Sequence, residues 1–290
     1  MAARNAVLGT LPDVAAQPDP ADLSLALALA DAADAITTAR FGARDLHVST
    51  KPDLTPVTDA DQTVERELRR AITQARAGDS VLGEEFGGDF GGDFGDASDR
   101  SAARQWVIDP IDGTKNFVRG VPVWATLVAL RVDSEMCVGV VSAPALGRRW
   151  WAARGTGAWS AASVGGSDPA ARRLAVSDVG NIEDASLSYS SLGGWVPGGR
   201  LEGLLTLAER SWRSRAYGDF WSHMLVAEGA VDISCEPAVS LWDLAALQVV
   251  VEEAGGRFTD LDGHPGPDGG SVIASNGHLH EDVLAILAAR

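Results

Sequence analysis

Residues 106–117 read WVIDPIDGTKNF. Three apolar residues, Trp106-Val107-Ile108, run straight into an acid, Asp109, and a second acid, Asp112, stands just ahead of Gly113-Thr114. An apolar run closed by turn residues reads as a buried strand, and Pro110 stiffens the turn that follows it. Such a turn can fold the two carboxylates toward one point, where they repel each other unless a cation lies between them. Hard carboxylate oxygens suit Mg²⁺, which keeps waters and substrate oxygens in its shell. Gly113 lets backbone N–H groups approach an anion and Thr114 adds a hydroxyl, so acids and cradle together describe a phosphoryl-transfer site. Taken as a bare D-x-x-D-G, the pattern is more often an Asx-turn ending a strand.

The chain around this stretch has 290 residues, 46% hydrophobic and 22% charged. That is the balance of a globular protein with a large core, in one domain or two joined lobes. No apolar run approaches the roughly 18–20 residues of a membrane span. The N-terminus lacks the order of a secretory signal, and a cytoplasmic location is expected. A net charge of −16, from 40 acids against 24 bases, argues against nucleic-acid binding through a basic surface. An anionic substrate would need cations to mediate. Lysine occurs only at Lys51 and Lys115, and Cys137 and Cys235 read as buried, reduced thiols.

Residues 1–20 carry three prolines and read as a disordered tail, leaving 21–290 as a domain of two lobes, about 21–170 and 171–290. Asp22 is placed to cap a helix that ends at Gly42 and is apolar almost all round, which predicts burial on much of its surface. Thr58-Asp59-Ala60-Asp61 has capping-box character ahead of a second helix striped by Val64, Leu68 and Ile72. Strands are expected at 80–83, 105–109, 124–132, 137–142, 149–153, 172–177, 185–191, 231–235 and 271–275. Helices are expected near 198–211, 219–229, 242–254 and 279–289. The glycine-aspartate segment 86–104 reads as a long loop. Pattern alone supports a layered α/β or α+β class.

The full string WVIDPIDGTKNF closely resembles the signature of the inositol-monophosphatase family of Mg²⁺-dependent, Li⁺-sensitive phosphatases. GEE at 83–85, PVTDAD at 56–61 and LWDLAALQVVVEEAGG at 241–256 fall in the same order as that family's motifs. The resemblance runs from about residue 22 to the end. It implies an α-β-α-β-α sandwich with the metal site between two lobes, two or three Mg²⁺ ions per subunit, and a homodimer. It also implies roles. Glu84, Asp109 and the Ile111 carbonyl hold one ion; Asp109 bridges to a second, completed by Asp112 and Asp243; Glu84 helps hold a weaker third. Gly113 and Thr114 meet the phosphate, and Thr114 with Asp61 positions the attacking water.

Substrate choice must come from the rim of the pocket. By resemblance, Gly218, Asp219, Phe220 and Glu236 stand where inositol phosphatases touch ring hydroxyls, but Asp219 and Phe220 replace the small residues common there. A carboxylate suits a cationic leaving group and an aromatic ring a flat or cationic one. FVRGVPVWATLVAL, SAPALGRRWWAARGTGAW and RAYGDF look most like the actinobacterial histidinol-phosphatase branch of the family, which implies hydrolysis of L-histidinol phosphate. An inositol-1-phosphate phosphatase, or one for another small phosphomonoester, is the alternative. Arg215 is a candidate to bind phosphate, to pair with Glu236, or to lie on the surface. Trp124, Trp150 and Trp151 read as core or dimer-interface residues.

Rival patterns are weaker. Asp59 to Thr63 fits the D-x-D-x-T of haloacid-dehalogenase-like phosphatases, but no buried strand precedes it. His278 and His280 could suggest a metal pair, yet the chain has five histidines, and surface positions before a terminal helix are expected instead. A non-enzymatic acidic ion-binding protein would bind divalent ions and release no phosphate.

Overall fold

The run from Trp106 to Ile108 lies in a seven-stranded sheet, the larger of the two main sheets, and the layers on either side explain why it is apolar throughout. The computed structural model describes residues 19–87, 103–162 and 171–288. The expected tail as far as residue 18 and the glycine-aspartate segment over 88–102 lie outside the described residues. The chain opens with α1 (Pro20–Arg40), a hairpin of β1 (Val48–Thr50) and β2 (Pro56–Thr58), and α2 (Asp59–Ala75). The larger sheet follows: β3 (Ser80–Gly83), β4 (Arg104–Asp112), then after the short α3 (Thr114–Arg119), β5 (Ala125–Val132), β6 (Glu135–Ala143), β7 (Arg148–Ala153), β8 (Ala158–Ala162) and β9 (Arg172–Arg173). Its spatial order is the chain order, and β3–β4 is its parallel pair.

The second half supplies β10 (Ser186–Tyr189), α4 (Leu201–Arg210), β11 (Arg213–Arg215), α5 (Asp219–Ala227), β12 (Ile233–Glu236), α6 (Leu241–Glu253), β13 (Arg257–Thr259), β14 (Val272–Ser275) and α7 (His280–Ala288). Its five strands lie in the order β11-β10-β12-β14-β13, with β10 parallel to both neighbours.

Alternate residues of a strand point to opposite faces. Trp106, Ile108, Val128, Leu130, Val138 and Val140 pack against α1 and α2, while Val107, Leu127, Ala129 and Val141 meet α5 and α6. Both faces of the larger sheet are therefore buried. Phe258, Val272 and Ala274 of the smaller sheet close the α5–α6 layer from its other side. Leu187, Ile233, Cys235 and Ile273 face α4 and α7. The result is the expected α-β-α-β-α sandwich. Gly139 shows how closely the layers meet, since a Cβ there would lie 2.4 Å from the Ala246 carbonyl oxygen.

Several local expectations change. Asp19 caps α1, accepting from the Ala21 N–H at 2.9 Å, because Pro20 is suited to the first helical position. Asp22 instead lies buried inside the first turn and pairs with Arg104 at 2.7 Å and Arg76 at 3.2 Å. Burial on α1 is one-sided: Ala26, Leu29, Ala30 and Ala33 are covered, and Ala28 and Ala35 are exposed. The strand expected over 172–177 pairs only at Arg172–Arg173. β8, β11 and β13 were not expected, being too short or too polar to show a period. Trp124 and Trp150 are core residues, and both cysteines are buried and in no disulfide among the described residues. No helix among the described residues is long and apolar enough to cross a membrane.

His280 is the reverse of the surface residue expected. It is fully buried, with its ring nitrogens 2.9 Å from Thr259 Oγ1 and 2.8 Å from Ser275 Oγ. Burial, then the charge of Arg257, holds it down to about 4 from an ordinary 6.5. The unfolded chain binds this proton more tightly, so the stability contributed is complete above pH 6.5 and is lost as the pH falls toward 4. Unfolding free energies at pH 7 and pH 5 should differ by about 2 kcal/mol from this group alone. His280→Gln should shrink the pH dependence by that amount; identical profiles for the two proteins would refute the assignment.

Candidate active site

β4 carries its alternation as far as Asp109 and then breaks it. Asp109 pairs with Leu127 and Asp112 with Ala125, so two residues of β4 face one of β5. This bulge brings Asp112 round toward Asp109. The Thr126 hydroxyl fixes it by donating to the Pro110 carbonyl at 2.8 Å, and Asp109 Oδ1 accepts from the Ile111 N–H at 3.0 Å. The Ile111 side chain is buried, leaving its carbonyl to accept from the Thr114 hydroxyl at 3.0 Å. Asp112 Oδ2 accepts from the Phe220 N–H at the start of α5, 2.7 Å away.

Two helix starts aim further acids at this place by the same device. Asp243, in the first turn of α6, accepts from the Ser240 N–H at 2.7 Å. Asp61, in the first turn of α2, accepts from the Thr58 N–H at 2.8 Å and the Thr58 hydroxyl. In each case the cap holds Oδ2, and Asp61 Oδ1 lies 3.4 Å from Thr114 Oγ1. Oxygens of Asp109, Asp112 and Asp243 come within 4.8 Å of one another.

Glu84 follows β3, and its N–H donates to the Ile108 carbonyl at 3.2 Å. The turn it occupies is anchored from below by buried Glu65, which accepts from the Glu85 N–H at 2.7 Å and the Phe86 N–H at 3.3 Å. Lys51, from the loop joining β1 and β2, reaches over and places Nζ 2.8 Å from both Glu84 Oε1 and Glu85 Oε1.

So many buried carboxylates cannot all stay ionised without cations. Burial first, then Glu84, Asp112 and Asp243, raises the Asp109 carboxyl well above the ordinary range. Asp112 is raised by burial and by Asp219 and Asp243. Burial lifts Asp243 to about 7, Glu85 to about 7, and Asp61 and Asp219 to about 6. A hard divalent ion relieves this repulsion and matches an all-oxygen donor set. The Lys51 ammonium, drawn between two of the acids, marks the same demand for positive charge.

The acids open on a cavity of about 460 Å³ whose walls include Glu84, Gly113, Thr114, Gly218, Asp219 and Glu236. An inner chamber of about 170 Å³ adjoins it, bounded by Asp112, Phe220 and Asp243 among others. Gly113 has φ +83°, and a Cβ there would meet the Val123 carbonyl at 3.0 Å and Asp219 Oδ2 at 3.3 Å. Two rim expectations need correction. The Phe220 ring is buried, 6.0 Å from the Trp150 ring, because α5 packs that side against the larger sheet; its backbone, not its ring, serves the site. Arg215 is exposed on β11 and bonds the Ser214 carbonyl, while the partner proposed for it, Glu236, lies 2.9 Å from His223 Nε2.

The family model for the inositol monophosphatase family matches residues 21–290. The chain belongs to the inositol monophosphatase family. It is 61% identical to a histidinol-phosphatase of Mycobacterium tuberculosis over 92% of this chain and 98% of that protein. It is 55% identical to a histidinol-phosphatase of Streptomyces coelicolor over 93% of this chain and 97% of the relative. An inositol monophosphatase from Zymomonas mobilis superposes with a TM-score of 0.78 at 28% identity, covering 93% of this chain and 98% of its own.

The inositol monophosphatase family is generally metal-dependent, and Asp109, Asp112 and Asp243 form an acidic cluster that could bind a metal ion. The rival D-x-D-x-T reading fails on geometry, because Asp59 pairs with Arg40 at 2.8 Å at a helix start and follows no buried strand of the larger sheet. Sequence reasoning missed Lys51, Glu65, Asn116 and His223. Only Lys51, one of two lysines in the chain, carried any signal. The Glu84 turn gives a test. A Cβ on Gly83 would lie 2.1 Å from Glu65 Oε1, so Gly83→Ala should cost about 1–3 kcal/mol in urea unfolding and lower turnover with it. Wild-type values for both would show that the turn does not depend on this contact.

Proposed function

We propose that this protein hydrolyses L-histidinol phosphate to L-histidinol and phosphate with Mg²⁺, a step of histidine biosynthesis. The observation that carries the reading is the acid cluster of Asp109, Asp112 and Asp243 opening on a rim that bears two further carboxylates, Asp219 and Glu236. Catalysis needs the first group; a leaving alcohol that carries an ammonium suits the second. The two histidinol-phosphatases at 61% and 55% identity over nearly the whole chain support the same substrate.

Glu84, Asp109, the Ile111 carbonyl, Asp112 and Asp243 would hold two or three Mg²⁺ ions, and Mg²⁺ bound there would lower the pKa of the attacking water and neutralise charge on the ester. The chain's own part is orientation and proton handling. Gly113 and Thr114 line the cavity floor and take the phosphate. The Thr114 hydroxyl sits between the Ile111 carbonyl at 3.0 Å and Asp61 Oδ1 at 3.4 Å, so it can accept from the water while passing its own proton to Asp61. With its carboxyl at about 6, Asp61 takes up that proton readily near neutrality. The water oxygen bonds to phosphorus as the ester P–O bond breaks, the departing alkoxide takes a proton from solvent water, and Asp61 returns its proton to solvent. No covalent phospho-enzyme is required. A homodimer in the cytoplasm is the accompanying expectation.

Asp109→Asn and Asp243→Asn should each lower Mg²⁺-dependent phosphate release at least about a thousandfold with circular dichroism unchanged; unaltered turnover would contradict the site. Asp219→Ala should raise KM for histidinol phosphate more than for a neutral sugar phosphate, and equal losses on both would reject the rim argument. Wild-type kinetics on histidinol phosphate, inositol 1-phosphate and fructose 1,6-bisphosphate test the substrate itself. A strong preference for the inositol ester would overturn it.

A further inference from the structure

We infer that His223 and Asn116 are positioning residues that aim the rim carboxylates of Glu236 and Asp219 at the ammonium group of the substrate. The inference rests on the substrate reading above. Glu236 Oε1 lies 2.9 Å from His223 Nε2, and Asp219 Oδ2 lies 2.9 Å from Asn116 Nδ2. Among the described residues these are the only hydrogen bonds made by either carboxylate, so each acid has one oxygen held and the other left for the pocket. Asp219 and Glu236 line both the main cavity and the inner chamber, and burial first, then the nearby charge of Glu236, raises the Asp219 carboxyl.

The two tethers are themselves immobile. Asn116 Nδ2 donates a second hydrogen bond to the Val123 carbonyl at 2.9 Å, across the base of the α3 turn. His223 projects from α5 with no exposed surface, its ring 6.3 Å from that of Phe258. Its Nδ1 is buried and meets no hydrogen-bond partner among the described residues. A neutral ring that donates through Nε2 leaves a lone pair unmatched there, whereas an imidazolium would bury an unmatched N–H together with a charge. The geometry therefore favours the neutral donor.

That distinction decides what the pair can do. An arginine or lysine beside Glu236 would orient it and cancel its charge together. A neutral imidazole and a neutral amide orient two acids and leave both charges standing. Like charges held side by side repel until a cation enters between them. An ammonium, with three donors, can meet both free oxygens at once, and an uncharged polyol cannot repay the repulsion.

Steady-state kinetics at saturating Mg²⁺ test this, with L-histidinol phosphate compared against glycerol 2-phosphate, whose alcohol is uncharged. His223→Leu and Asn116→Leu should each raise KM for histidinol phosphate about tenfold, with kcat on both esters and KM for glycerol 2-phosphate within about twofold. His223→Gln, whose amide can donate to the same oxygen, should stay near wild type. Calorimetric Mg²⁺ affinity should not move in any of them. Equal losses on the two esters would reveal a merely structural role and overturn the inference, as would an unchanged KM for histidinol phosphate. Should a leucine variant fail to fold, Glu236→Gln, which keeps size and removes charge, must reproduce the selective rise in KM, and its absence is equally fatal. A wild-type protein inactive on histidinol phosphate but active on inositol 1-phosphate would take down the substrate reading and this inference together. Loss of selectivity effects in an enzyme that does turn over histidinol phosphate takes down the inference alone.

Discussion

Mutual repulsion among buried carboxylates is the constraint on which the rest of this molecule depends. Asp109, Asp112 and Asp243 approach within 4.8 Å, and burial and their neighbours push their carboxyls upward. A fold left to minimise its own energy would not assemble such a group. It is held together by rigid elements: an inner strand of the larger sheet, the start of a helix wedged between two sheets, and a turn clamped by Glu65. The five-layer packing is what makes those elements rigid enough to oppose the repulsion until cations are bound.

Each acid is held by backbone rather than by a basic side chain. The Ile111, Phe220, Ser240 and Thr58 N–H groups hold Asp109, Asp112, Asp243 and Asp61 respectively. A backbone N–H orients a carboxylate and contributes no net charge, so the acids stay available to an external cation. Lys51 is the exception, and it comes from a hairpin loop at the edge of the site. The same economy extends to the rim, where neutral Asn116 and His223 stand beside Asp219 and Glu236. Arg215, for which the surface was one of three expectations, is exposed on β11 and bonds the Ser214 carbonyl.

Legibility of the sequence varied with how local the cause was. The strand expected at 105–109, which extends over 104–112, was visible because both its faces are buried, which makes the run Trp106–Ile108 apolar. The helix cap at Thr58 was visible because a cap depends on neighbours three residues apart. Asp22 misled because Asp19-Pro20, just upstream, makes a better start. α1 misled because alanines and leucines are tolerated on an exposed helix face, so composition overstated burial. His280 and Phe220 misled for one reason: each follows a turn, and whether a side chain after a turn points outward or inward depends on a partner element elsewhere in the chain.

From the sequence alone came the layered class and, through resemblance to the inositol monophosphatase family, the phosphatase family and the candidate acids Glu84, Asp109, Asp112 and Asp243, because those residues lie in short strings that match the family's motifs. Tertiary structure alone decided how the rim is built. Asn116 meets Asp219 across 103 residues of chain, and no periodicity or spacing encodes so distant a hydrogen bond. His223 faces Glu236 only because α5 packs over β12, and the bulge that turns Asp112 toward Asp109 exists only once β5 is paired alongside. Contacts between elements are set by packing of whole layers, and a string of residues records that packing only indirectly.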